Sequence, residues 1–141
     1  MRACLILCVV FINHWAYPQF NPFINLGIEQ GLAQSQVNDI CHDPSGYLWI
    51  ATTSGLSRYD GVGVKNFYKS DGLVDNVVTH ILIDDNGTVY FGGAGGFTIY
   101  YQGRFEAFSF PKSIVDSRIQ YMQISNDSTL WMATNRDGYF S

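Results

Sequence analysis

The feature that most constrains this chain is a self-repeat with an offset of 41 residues. Gly31-Leu32 recurs as Gly72-Leu73, and at the same offset Val37 falls on Val78, Ile40 on Ile81, Asp43 on Asp84 and Gly46 on Gly87. Leu48-Trp49-Ile50-Ala51 falls on Val89-Tyr90-Phe91-Gly92, Gly55-Leu56 on Gly96-Phe97, Tyr59 on Tyr100 and Phe67 on Phe108, without a gap. A third copy begins with Ile119 opposite Val78 and Met122 opposite Ile81, and continues as Leu130-Trp131-Met132-Ala133. One extra residue precedes Gly138, and the sequence reaches Ser141 about midway through this unit.

Each complete unit holds four short runs of strand-forming residues separated by turn signals. In the first unit these are Val37–Cys41, Leu48–Thr52, Leu56–Asp60 and Val64–Phe67. In the second they are Val78–Ile83, Val89–Gly93, Phe97–Tyr101 and Arg104–Phe108. Asp84-Asp85-Asn86-Gly87 and Asp43-Pro44-Ser45-Gly46 supply hairpin chemistry, since Asn-Gly provides the positive φ that tight turns need. No segment of the repeats has sustained helical spacing.

The second run of each unit decides the architecture. Leu48 and Ile50 point to one face and Trp49 and Ala51 to the other, so both faces are apolar and the sheet must be sandwiched between neighbours. Four strands in a unit of about 40–45 residues is the arrangement of β-propeller blades. Trp49, Tyr90 and Trp131 are expected to be core residues of the repeat. The small residues Ala51, Gly92 and Ala133 would let an adjacent blade approach closely. The fold expected is all-β: propeller blades of four antiparallel strands, about two and a half of them, an incomplete propeller. Segment boundaries follow as a lead-in at 17–30, blade 1 at 31–71, blade 2 at 72–112 and a partial, truncated blade 3 at 113–141.

The first residues differ in character. Arg2 is followed by ten apolar residues, Ala3 to Ile12, then Asn13, His14, Trp15 and Ala16. A short basic start, an apolar middle and a small residue read as a secretory signal peptide at 1–16; the run is too short for a membrane-spanning helix, which needs about 20 residues. Cys4 and Cys8 lie inside it, which leaves Cys41 alone in the exported chain, where its strand position makes it a small core residue. Charged residues are 14% and the net charge is −4, with no Lys/Arg cluster, so a nucleic-acid footprint is lacking.

No catalytic constellation stands out, and neither a metal site nor a cofactor site is expected. Gly92-Gly93-Ala94-Gly95-Gly96 aligns with the turn Ala51-Thr52-Thr53-Ser54-Gly55, and no helix follows it to hold a phosphate. Asp84, Asp85 and Asn86 lack the spacing of a calcium loop. His42 and His80 occupy different repeat positions and do not form a Cys/His ligand set. Ligand contact is assigned instead to loops at one end of the blades: Thr53 and Ser54, Ala94 and Gly95, Asn135 and Arg136, and Asp71 with Asp75 and Asn76.

The run Asp39-Ile40-(x2)-Asp43-(x2)-Gly46-Tyr47-Leu48-Trp49-Ile50-Ala51-Thr52-(x2)-Gly55-Leu56-Ser57-Arg58-Tyr59-Asp60-Gly61 resembles the repeat of the two-component regulator propellers. The lead-in Gly31-Leu32-Ala33-Gln34-Ser35-Gln36-Val37-Asn38 is similar to that family's blade junction. The second unit departs from the pattern, with Tyr90 for the Trp and Ile99-Tyr100-Tyr101-Gln102-Gly103 for Arg-Tyr-Asp-Gly; the third keeps Leu130-Trp131-Met132-Ala133-Thr134. The resemblance implies the extracytoplasmic sensor region of a bacterial hybrid histidine kinase, in which propellers precede a three-tyrosine-motif domain, a membrane helix and cytoplasmic signalling domains. It implies an exported, periplasmic segment of a parent anchored in the inner membrane, with a carbohydrate-type small ligand. Its partners would be the remaining blades and the downstream signalling domains. This chain would then be a non-catalytic N-terminal fragment whose exposed blade edge invites self-association. The alternative is a stand-alone structural or interaction propeller, such as a secretion-system accessory; propellers that carry lyase or hydrolase sites form a third class.

Overall fold

A computed structural model of the chain describes residues 23–136 and 138–140. The signal-peptide expectation, with Cys4 and Cys8, lies outside the described residues. Among those described, no helix is long and apolar enough to cross a membrane.

The strands form three antiparallel sheets, each a meander in chain order. Blade 1 is β1 (Val37–His42), β2 (Leu48–Thr52), β3 (Gly55–Tyr59) and β4 (Val64–Phe67). Blade 2 is β5 (Val78–Ile83), β6 (Val89–Gly93), β7 (Gly96–Tyr101) and β8 (Arg104–Ser109). Blade 3 has three strands, β9 (Ile119–Ile124), β10 (Leu130–Thr134) and β11 (Tyr139–Phe140). The strands lie within a residue of the positions read from the repeat. The remaining regular structure is two short 3-10 turns, Ile28–Gln30 and Lys69–Asp71, each just before a blade junction.

The first hairpin of blade 1 and that of blade 2 turn as their residues dictate. Gly46 and Gly87 take φ of 91° and 80°, and Asp43 and Asp84 accept the N–H groups of the turn, from Ser45 and Tyr47 and from Asn86 and Thr88. In blade 3, Ser128 holds the equivalent position with φ of 65°, where a glycine would be at ease.

Each blade presents two faces. The forward face of blade 1 carries Cys41, Trp49, Ala51, Leu56 and Phe67, and packs on the rear face of blade 2, which carries Val78, Ile81, Val89, Phe91, Tyr100 and Phe105. Trp49 is fully buried there, with ring centroids 5.1 Å from Phe91 and 5.0 Å from Tyr100. The forward face of blade 2, with Leu82, Tyr90 and Phe97, packs in turn on Ile119, Met122, Leu130 and Met132 of blade 3.

The small residue of the second strand sets the spacing. A Cβ at Gly92 would lie 2.7 Å from Ile119 Cγ2, so blade 3 sits against bare backbone. Ala51 is fully buried at the equivalent place in blade 1. The third copy differs from expectation. Trp131 is 42% exposed and Ala133 is exposed, while Tyr90 is half-buried. The β10 register places Trp131 and Ala133 beside Gln123 and Tyr121 on the forward face of blade 3, and no further described sheet lies against that face. The repeat position is thus buried only where a following blade covers it.

Gly92→Ala is expected to lower the unfolding free energy by about 1–3 kcal/mol through overpacking against Ile119, measured by urea unfolding. Gly63→Ala, whose Cβ meets nothing within 4 Å, should stay within about 0.5 kcal/mol and reports any effect of the alanine itself.

Candidate functional site

At one end of the blades, the turn between the second and third strands is tied to the residue that leads into the innermost strand. Thr53 N–H donates to the Gln36 carbonyl, Ala94 N–H to Val77 and Asn135 N–H to Arg118, with N···O of 3.3, 3.2 and 3.1 Å. The three bonds are repeat-equivalent, and they place Thr53, Ser54, Ala94, Gly95, Asn135 and Arg136 on a common end with the blade junctions.

Most of these residues hold the loops together. Thr52 Oγ1 donates to the Gly55 carbonyl and accepts from Ser54 N–H. Asp71 Oδ2 accepts from Tyr68 N–H, Asn76 Oδ1 from Lys69 N–H and Asp75 Oδ1 from Val77 N–H. Asn135 Oδ1 accepts from Arg118 N–H at 2.8 Å. In the glycine-rich turn, Gly95 N–H donates to the Ser117 carbonyl, Gly95 O accepts from Phe110, and a Cβ at Gly96 would lie 2.1 Å from Phe108 O. The glycines admit neighbouring backbone, and the Ala94 and Gly95 amides are engaged, so this turn is not an anion cradle. Of the loop residues singled out from the sequence, Asp75, Ala94 and Gly95 line one cleft, of about 180 Å³, with Lys69, Val74, Ser109 and Val115. Thr53, Ser54, Asp71, Asn76, Asn135 and Arg136 lie outside it.

A larger cleft, of about 390 Å³, opens where the innermost strands meet and is lined by Asn38, Thr79, Arg118, Ile119 and Gln120. Asn38, Thr79 and Gln120 are one repeat position. In β1 and β5 the register slips at this residue, between Val37 and Asp39 and between Val78 and His80, and the same slip falls at Gln120 in β9. Such a bulge takes one residue out of the ladder and re-aims its side chain. The side chains reach across blades: Asn38 Nδ2 donates to the Val78 carbonyl and Thr79 Oγ1 to that of Ile119. The next residue in each strand extends the link. Asp39 Oδ2 lies 2.9 Å from His80 Nδ1 and accepts from Ile81 N–H, and the His80 and Tyr121 rings are 5.0 Å apart. Sequence reasoning passed over this set, although the 41-residue offset brings Asn38, Thr79 and Gln120 into register as a polar position inside an apolar strand.

At the opposite end, a cleft of about 490 Å³ lies between two hairpin tips, lined among others by Asp84, Asp85, Asn86, Tyr90, Gln123 and Asn126. Asp84 Oδ2 accepts from the Tyr90 hydroxyl at 3.4 Å, just as Asp43 Oδ2 accepts from Trp49 Nε1 at 2.8 Å. Burial first, and then the Asp84 carboxylate, push the Tyr90 phenol above its usual pKa. The folded state therefore holds this proton more tightly than the unfolded chain does. That stabilisation is full below the ordinary tyrosine pKa and is lost as pH rises through the raised one. Asp84→Asn should bring the Tyr90 titration part of the way back toward the ordinary value, leaving the burial contribution, as followed by NMR of ring-labelled tyrosine.

Known proteins bear on the fold and the repeat. The extracellular domain of a proposed hybrid two component system, BT3049 of B. thetaiotaomicron, superposes with a TM-score of 0.71 at 17% identity, over 86% of this chain and 17% of that one. The extracellular domain of BT4673 of B. thetaiotaomicron, described as a one component system, superposes with a TM-score of 0.68 at 19% identity, over 79% of this chain and 16% of that one. A second structure of BT4673, described as a hybrid two component system, gives 0.67 at 20% identity over the same shares. The chain thus spans about a sixth of the length of these structures, and the likeness establishes the propeller fold. No curated protein matches the chain in sequence. The family model described as "Two component regulator propeller" matches residues 31–54 and 72–95. The matched segments run from each blade junction through the second strand to the turn after it, so this chain carries the two-component regulator propeller repeat once in each of its first two blades.

Proposed function

We propose that this chain is a ligand-sensing propeller segment from the extracytoplasmic region of a receptor of the two-component, hybrid histidine kinase type. Its role is non-catalytic, and it works outside the cytoplasmic membrane. Support for the receptor class comes from the repeat it carries and from the extracellular domains whose fold it shares.

The observation that carries the ligand reading is the cleft at the innermost strands. Asn38, Thr79, Arg118 and Gln120, which carry amide, hydroxyl and guanidinium groups, line it from all three blades. Both donors and acceptors are on offer, and Asn38, Arg118 and Gln120 are exposed. That mixture suits a small, hydroxyl-rich ligand of carbohydrate type better than an anion or an apolar molecule. Asp75, Ala94 and Gly95, in the smaller cleft at the same end of the blades, would extend the contact outward. A ligand bridging several inner strands would favour one spacing of the blades over another, and a signal needs such a difference in affinity between two states.

Isothermal titration calorimetry of the purified chain against a panel of neutral and acidic oligosaccharides tests the site. At least one saccharide should bind, and the double variant Arg118→Ala/Gln120→Ala should weaken it by about tenfold or more with an unchanged circular dichroism spectrum. Absence of saccharide binding, or equal binding by the double variant, would overturn the ligand assignment. The receptor class is tested separately by the DNA downstream: a membrane helix and a kinase histidine box are expected, and a frame without either sinks it.

A further inference from the structure

Two cations stand side by side on blade 1. Arg58 of β3 lies directly opposite Lys65 of β4, and both reach over the Phe67 ring, with Arg58 Cζ 5.6 Å and Lys65 Nζ 5.1 Å from its centroid. Like charges directly opposite one another repel. Among the described residues, neither side chain forms an ion pair with an acid. The two nearby carboxylates are held by other donors. Asp43 accepts from the Ser45 and Tyr47 amides and the Trp49 indole, and Asp60 Oδ1 accepts from the Val62 and Gly63 amides. Packing does not demand the two cations. At the 41-residue offset Arg58 falls on Ile99, Lys65 on Glu106 and Tyr47 on Thr88, and blade 2 still packs on blade 3.

The Arg58 guanidinium is half-buried and fixed in place. Its Cζ lies 4.2 Å from the Tyr47 ring centroid and 5.3 Å from that of Trp49. Stacking of this kind sets the plane of the fork and leaves its N–H groups to point outward along the edge. One of them, on Nη1, donates to the Tyr100 hydroxyl of blade 2 at 3.1 Å. The hydroxyl accepts that bond, so its own proton is available to a further acceptor. Arg58 and Tyr100 line a cleft of about 170 Å³ between the hairpin tips of the two blades, with Asp43, Ser45, Tyr47 and Gln102 also in its walls.

We propose that this cleft binds the carboxylate group of a small organic acid, which takes paired hydrogen bonds from Arg58 and one from Tyr100, with Lys65 adding charge from the neighbouring strand. A planar group with two acceptor oxygens matches the guanidinium fork. The Asp43 carboxylate in the wall opposes a doubly charged phosphate more than a singly charged carboxylate. The ligand would touch blade 1 through Arg58 and blade 2 through Tyr100, and so fasten the rim of that junction. The site is separate from the cleft at the innermost strands, and the inference is independent of the sensor reading.

The test is NMR of the full chain carrying arginine labelled with 15N at Nε, titrated with sodium acetate and sodium glucuronate. Sodium chloride at matched ionic strength is the reference, and inorganic phosphate is a separate arm. The Arg58 Nε–H signal, assigned by its absence in Arg58→Gln, should shift saturably with both carboxylates and not with chloride. Tyr100→Phe keeps the ring against Trp49 and removes the hydroxyl, and should weaken binding about tenfold. Lys65→Gln, at an exposed position, should weaken it about threefold. Arg118→Ala/Gln120→Ala should bind both carboxylates as wild type does. A shift that does not saturate, an equal shift with chloride, or tighter binding of phosphate than of either carboxylate would overturn the proposal. So would unchanged affinity in a folded Tyr100→Phe variant, or loss of binding in Arg118→Ala/Gln120→Ala, which would move the acid to the inner cleft.

Discussion

Everything in this fold depends on a strand that cannot be left with a bare face. β2 buries Trp49 and Ala51 on one side and Ile50 on the other, and β6 does the same with Val89 and Phe91 opposite Gly92. A lone four-stranded sheet with such a strand would expose apolar side chains on both surfaces, so the sheet becomes stable only as one layer of a stack. Burial of a side chain of this size is worth about 1.5–3 kcal/mol, and each junction gathers several. The blade is a unit of sequence, but the junction is the unit of stability. The different fates of Trp49 and Trp131 express this: the same residue at the same repeat position is sealed in one blade and open in another.

A second constraint acts inside each blade. An aromatic ring that must fill the junction needs a fixed orientation. Asp43 closes the first hairpin through the Ser45 and Tyr47 amides and holds the Trp49 indole with its other oxygen. Asp84 repeats the arrangement with Tyr90. In blade 3, Ser125 stands at the aspartate position, and the turn is closed by Ser125 and Asp127, whose carboxyl is held below its usual pKa by hydrogen bonds from Ser125 and Thr129. Turn chemistry and core packing are therefore coupled through one side chain, and that coupling has changed in the blade whose aromatic residue is exposed.

The fold was legible in the sequence because it rests on period and patterning, which are local. Alternation placed the strands, the turn residues placed the hairpins, and the 41-residue offset placed one blade on the next. The candidate site was less legible, for physical reasons. Asp71, Asp75 and Asn76 look like ligand-binding side chains, but their oxygens accept backbone N–H groups and shape the junction loop. A polar residue in a loop carries no mark that says whether its partner is solvent, backbone or ligand. Asn38, Thr79 and Gln120 were hidden for the opposite reason. They sit inside strands, where alternation assigns a face and cannot show that a bulge turns the residue out of the ladder. The burial expected for Trp131 and Ala133 failed because periodicity predicts which face a residue takes, whereas burial also requires something to cover that face.

The bulges at Asn38, Thr79 and Gln120 have a consequence for how such a protein can change. Each bulged residue lies in the same strand as core residues but is excused from the pairing that positions them. Substitution there alters what the mouth of the array offers to an incoming molecule while the apolar junctions stay as they are. Two of the three, Asn38 and Thr79, also span to the neighbouring blade, so substitution there also removes a link between blades. Recognition and folding are thereby assigned to adjacent residues of one strand and can drift separately, and a lineage of such chains could explore new ligands without first having to rebuild its core.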